Sequence, residues 1–213
     1  MTNSKNINTK VLFENAKNNL FLSKKRESLL IEIADTIAEA YLDRQKIKIN
    51  FICTHNSRRS QLAQVWAFFA INYFQLSNIF SLSGGTEVTK FHRNAVKVLQ
   101  YAGFEFDLDN FSHQNPKYLV SFKGCKTPLR VFSKIFEDPI NEFPYIAITT
   151  CNNAHESCPF IPDAIHRLHL PYSDPKIFDN THKTREKYLE TSNLIAGEIY
   201  FIFEEINRQI LKI

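Results

Sequence analysis

Cys53 and Arg59 stand six residues apart in the run Cys53-Thr54-His55-Asn56-Ser57-Arg58-Arg59-Ser60, a Cys-x5-Arg pattern among small polar side chains. Five intervening residues can curl into a cradle whose backbone N–H groups point inward. A helix starting at its far end adds partial positive charge at the same place. The Arg59 guanidinium offers two parallel hydrogen bonds to a tetrahedral oxyanion and stabilises charge that grows during transfer. The same field favours a thiolate at Cys53, and the Ser60 hydroxyl is placed to donate to it. The expected oxyanion ligands are therefore Thr54, His55, Asn56, Ser57, Arg58, Arg59 and Ser60. The bland alternative is a structural cysteine beside two solvated arginines. Spacing alone does not exclude it; the strand before the loop and the helix after it favour the nucleophile.

Three further cysteines, Cys125, Cys151 and Cys158, complete the set of four, too few to staple 213 residues. The polar start, Met1 to Lys10, and the absence of any membrane-length apolar run lead to the expectation of a cytoplasmic, reducing location. There, cysteines are more often catalytic or metal-binding than bridged. Cys151 and Cys158 enclose a polar stretch, Asn152 to Ser157, expected to be exposed and able to move. Three readings of this pair stand side by side: incidental buried thiols, a metal site using Cys151, His155 and Cys158, and a redox relay. The second lacks an evident fourth ligand, so no metal and no cofactor is expected.

The elements that must position these groups emerge from periodicity. Lys24–Gln45 repeats apolar residues at three and four and reads as a helix. Lys46–Cys53 alternates and ends apolar, as a strand entering a core does. Gln61–Phe74 suits a buried helix, Ile79–Ser83 a strand closed by a Gly84-Gly85 turn, and Asn94–Tyr101 a helix ended by Gly103. Tyr118–Phe122 and Leu129–Phe132 read as two strands or a hairpin-like insertion near 115–136. Tyr145–Thr149 and Ile165–Leu170 are further core strands, and Thr184–Ile213 is a long covering helix. Residues 1–20, rich in Asn and Lys, are expected to be loosely held. Strands alternating with helices predict an α/β fold with a mainly parallel sheet. With 44% hydrophobic residues the chain can bury an ordinary core, and a scattered net charge of +4 forms no nucleic-acid stripe.

The run from Phe51 to Ala63 resembles the low-molecular-weight protein tyrosine phosphatases, and within that superfamily the thioredoxin-coupled arsenate reductases. The likeness continues through Ser83-Gly84-Gly85, Asn94-Ala95-Val96 and Thr149 to Pro175. It implies an open, four-stranded parallel sheet with helices on both faces over residues 47–213, preceded by an N-terminal helical extension, 1–46. It also implies a relay: Cys53 attacks arsenate, Cys151 attacks Cys53 and releases arsenite, and Cys158 attacks Cys151 to give a disulfide that thioredoxin reduces. Asp174, in Tyr172-Ser173-Asp174-Pro175, takes the place of the family's general acid; Asp138-Pro139 is a weaker rival. Asn56 is expected in a left-handed conformation, supported by Ser83. Departures from the pattern are His55 where the family has Gly, Arg58 where many members have a second Cys, and Gln64 where some hold potassium with a glutamate. Arsenate reduction is the first expectation. Hydrolysis of phosphotyrosine or a small phosphomonoester is the second, with Lys176 standing where such phosphatases carry an aromatic residue. An oxyanion-binding regulatory module is the third. No nucleic-acid or membrane partner is expected.

Overall fold

The computed structural model describes residues 8–151, 161 and 163–211. In chain order these form helices α1 (Thr9–Asn18) and α2 (Lys24–Arg44), strand β1 (Ile47–Cys53), α3 (Arg59–Tyr73), β2 (Ile79–Gly85) and α4 (Arg93–Tyr101). Strands β3 (Glu105–Asn110), β4 (Lys117–Ser121), β5 (Leu129–Val131), β6 (Ile146–Cys151) and β7 (Arg167–Tyr172) come next, then the long helix α5 (Thr184–Ile210).

The main sheet has the order β2-β1-β6-β7 with parallel neighbours throughout. The expected four-stranded α/β arrangement is therefore present. β1 lies inside the sheet and is buried at six of its seven positions, which is why it carries an apolar run rather than strict alternation. The pleat sends Ile47, Ile49 and Phe51 to one face, where they join buried side chains from all five helices in one hydrophobic cluster. Ile52 and Ala147 turn the other way and pack with Phe136, Tyr145 and Ile161.

The start of the chain differs from expectation. α1 is capped by Asn8, whose side chain accepts from the Lys10 amide. Its Phe13 is fully buried, stacked on Trp66 at 5.6 Å and lying 4.9 Å from Tyr200 of α5. One large ring and two smaller neighbours, Leu12 and Ala16, hold this polar helix. Then comes α2, capped by Ser23 and ended by Gln45 in the left-handed region. Arg26 of α2 grips the buried Glu198 of α5 through two 2.7 Å hydrogen bonds, so the extension is built into the core.

The insertion is larger than the hairpin read from sequence. β3, β4 and β5 form an antiparallel three-stranded sheet beginning at Glu105. β3 offers only a short alternation, Phe106 and Leu108, and five of its six residues are exposed, with Phe106 alone packed on the core. From β5 the chain runs back beside the end of β2, where Gly85 pairs with Ile135. Gly84 and Gly85 are thus the last residues of β2 and not a turn. A Cβ on Gly84 would lie 2.4 Å from the Phe136 Cα, and one on Gly85 2.7 Å from the Asn56 nitrogen and the Thr54 oxygen. Glycine is required here for close approach of two backbones.

Candidate active site

The buried Cys53 closes β1, and α3 begins at Arg59 directly after the loop, so the loop lies at the carboxyl end of a parallel strand and at a helix N-terminus. The loop's carbonyls face outward and are taken up by two flanking segments. Thr54 O accepts from the Glu87 amide at 2.8 Å, and His55 O accepts from Ser133 Oγ at 2.9 Å. Ser57 O accepts from the His92 amide at 2.9 Å. With the carbonyls of Thr54, His55 and Ser57 tied to neighbouring segments, the arrangement is compatible with an anion cradle built from the loop amides.

Asn56 holds this shape. Its φ of 44° is left-handed, as expected, a region Asn tolerates. Its Oδ1 accepts from the Lys134 amide at 2.9 Å and from Gln61 Nε2 at 3.1 Å, while its Nδ2 donates to Ser60 Oγ at 2.9 Å. With that amide on its oxygen, Ser60 is free to turn its own proton to Cys53 Sγ, 3.0 Å away. Ser83 does not serve Asn56 as expected: its hydroxyl donates to Gln64 Oε1, and Gln64 Nε2 donates to Ser81 O at 3.2 Å. His55 needs no glycine, since its φ is not positive; its half-buried ring lies 3.3 Å from Glu87.

The two arginines diverge. Arg59 is buried and donates from one amino group to Tyr172 O at 3.1 Å and from the other to Asp174 Oδ2 at 2.9 Å. Its Nε is buried without a protein partner among the described residues, a donor left for an anion. Asp174 also caps the short 3-10 turn Pro175–Phe178 by accepting from the Lys176 amide at 3.0 Å. Arg58, expected as an oxyanion ligand, turns its side chain away. Its Nε donates to Tyr188 Oη at 2.7 Å and its amino group to Asp179 at 2.9 Å. Burial opposes its charge, but Tyr188, Asp174 and Asp179 outweigh that and raise its pKa.

The register pairs Ile52 of β1 with Thr149 of β6. β1 ends at Cys53, one residue past that pair, and β6 ends at Cys151, two residues past it and beyond an irregularity after Thr149. Only the backbone of Cys151 is described. Cys158 and His155 lie outside the described residues, so the relay's last thiol and the alternative metal set fall there as well. Among the described residues no group of three potential metal ligands comes together, and no helix is long and apolar enough to cross a membrane. Asp138 caps a separate 3-10 turn, Pro139–Asn141, and the half-buried Cys125 donates weakly to Thr127 O.

Sequence reasoning missed Gln61, Ser133 and the Lys134 amide as supports of the loop, and Asp179 and Tyr188 as partners of Arg58. Main-chain donors leave no side-chain signature. The other contacts join residues up to 130 positions apart.

No family model matches the chain. It is similar to curated arsenate reductases: that of Bacillus licheniformis is 28% identical over 153 residues, 72% of this chain and 91% of the relative. Arsenate reductase 1 of Bacillus cereus is 27% identical over 155 residues, 68% of this chain and 96% of the relative. Among solved structures, an arsenate reductase in the phosphate-binding state superposes with a TM-score of 0.47 and 19% identity, covering 77% of this chain and 98% of that one.

Proposed function

We propose that the chain is a cysteine-dependent arsenate reductase that passes oxidation from Cys53 through Cys151 to Cys158. Arsenate occupies the loop amides and the Nε of Arg59. The Cys53 thiolate attacks arsenic, and an arsenate oxygen leaves as water, taking the proton that Asp174 delivers. The Cys151 thiolate then attacks the Cys53 sulfur. A disulfide forms, the arsenic–sulfur pair of electrons returns to arsenic, and arsenite departs. The Cys158 thiolate attacks Cys151 and frees Cys53 as a thiolate. Two electrons from a dithiol protein of the thioredoxin type reduce the resulting Cys151–Cys158 disulfide. What supports this reading over simple hydrolysis is a second cysteine, Cys151, at the end of β6, the strand that pairs with β1.

A second reading, phosphomonoester hydrolysis, is favoured by the completeness of the Cys53, Arg59 and Asp174 set without the cysteine pair. There Cys53 forms a phosphocysteine, Asp174 protonates the leaving oxygen, and water hydrolyses the intermediate. The two are separated by arsenate-dependent NADPH oxidation through thioredoxin and its reductase, measured beside aryl phosphate hydrolysis. Reduction by wild type that vanishes in Cys151→Ser, with any phosphatase activity kept, supports the relay. Vigorous hydrolysis in both proteins with arsenate ignored supports the phosphatase.

A further inference from the structure

Arg58 and Arg59 are consecutive, yet each pairs with a different aspartate at 2.9 Å: Arg59 with Asp174, Arg58 with Asp179. Between these aspartates lies only the turn Pro175–Phe178. The turn that carries the candidate acid is thus fastened at both ends to adjacent residues of the nucleophile loop.

The two fastenings differ in kind. Asp174 has Arg59 and its own turn amide at Lys176. Asp179 is held from three helices: by Arg58 at the start of α3, by Asn94 of α4 at 3.4 Å, and by Tyr188 of α5, whose hydroxyl donates at 2.8 Å. Tyr188 also accepts from Arg58 Nε at 2.7 Å, closing the network. An incoming anion competes with Asp174 for the Arg59 fork, because one guanidinium edge cannot serve both fully. The partners of Arg58, Tyr188 and Asp179, lie outside the cradle. Arg58 does not cap α3 with its side chain.

We propose that Arg58 is a positioning residue and not an anion ligand: paired with Asp179, it pins the far end of the 174–179 turn, so that Arg59 can exchange Asp174 for the anion while the carboxyl stays within reach of the leaving oxygen. This rests on the reading of Asp174 as the acid. It assigns a mechanical role in proton delivery to the position where many members of the resembled family carry a second thiol.

The test compares wild type, Arg58→Leu and Tyr188→Phe on two aryl phosphates, phenyl phosphate with a poor leaving group and 2,4-dinitrophenyl phosphate with a good one. Amide hydrogen exchange over residues 174–181 is measured on the same proteins. A positioned acid typically supplies 10²–10⁴-fold; loosening it in Arg58→Leu should lower kcat for phenyl phosphate by about 10–100-fold and for the dinitrophenyl ester by under about 3-fold, with KM unchanged. Exchange across 174–181 should quicken while the interior of α3 stays protected. Tyr188→Phe, which keeps the arginine and the packing, should give the same pattern more weakly. A rise in KM for both esters with unchanged exchange would make Arg58 an anion ligand and overturn the proposal, as would no change at all. Wild type inert toward both esters and arsenate would overturn the reading of the site itself. The exchange arm would still decide whether Arg58 holds the turn.

Discussion

Ser60 receives the Asn56 amide on its oxygen, so its proton is available to the Cys53 sulfur 3.0 Å away. Hydrogen bonds to charged groups are worth about 1.5–3 kcal/mol, so Ser60→Ala should slow alkylation of Cys53 at neutral pH by roughly tenfold or more. Iodoacetamide kinetics tracked by mass spectrometry would check this; an unchanged rate would remove Ser60 from the account. Lys134 makes a different prediction. Its amide supports Asn56 while its side chain is buried, with the ammonium 4.9 Å from the Phe132 ring centroid. Burial pushes its pKa down to about 8, with Asp138 opposing weakly. Between that value and the ordinary 10.5 the unfolded chain binds more protons than the folded one, so stability rises with pH across this window and is flat below it. The gain is on the order of 3 kcal/mol. Lys134→Met should abolish the rise in denaturant midpoint above pH 8 and stabilise the protein at pH 7, since the methionine carries no charge to bury.

At the scale of elements, legibility tracked amphipathicity. α2, β1 and α5 were readable because long apolar repeats or a buried central run leave a pattern over many residues. α1 was not, because its burial rests on Phe13 among Asn and Lys. Its weight is nonetheless large: Phe13→Ala removes a fully buried ring touching α3 and α5, and should cost about 3–5 kcal/mol in chemical denaturation. A change under about 1 kcal/mol would mean α1 is peripheral. β3 escaped notice for the opposite reason, being exposed nearly throughout. Gly84-Gly85 was read as a turn because glycine pairs punctuate chains. Here they end β2, where the backbone at Phe136 leaves no room for a Cβ on Gly84 and that of the Cys53 loop none for one on Gly85. The nucleophile loop was legible in residue type and spacing, since Cys53, Asn56 and Ser60 act on one another within seven positions. The roles of Arg58 and Ser83 were not, because their partners come from α5 and α3.

For the whole molecule, the sheet brings the ends of β1, β6 and β7 together, and with them Cys53, the backbone of Cys151 and the turn carrying Asp174. The segment after β5, through Ser133 and the Lys134 amide, braces the loop from outside, and α5 supplies the far anchor for Arg58. Under the proposed function, oxyanion chemistry takes place at the Cys53 sulfur, and the thiol at the neighbouring strand end decides the fate of the covalent intermediate. The most direct test is a single turnover with equimolar arsenate and no external reductant, analysed by peptide mapping. One arsenite per chain is predicted, with a Cys151–Cys158 disulfide in wild type and a Cys53–Cys151 disulfide in Cys158→Ser. Arsenate left unreduced, with Cys53, Cys151 and Cys158 all recovered as free thiols, would contradict the account.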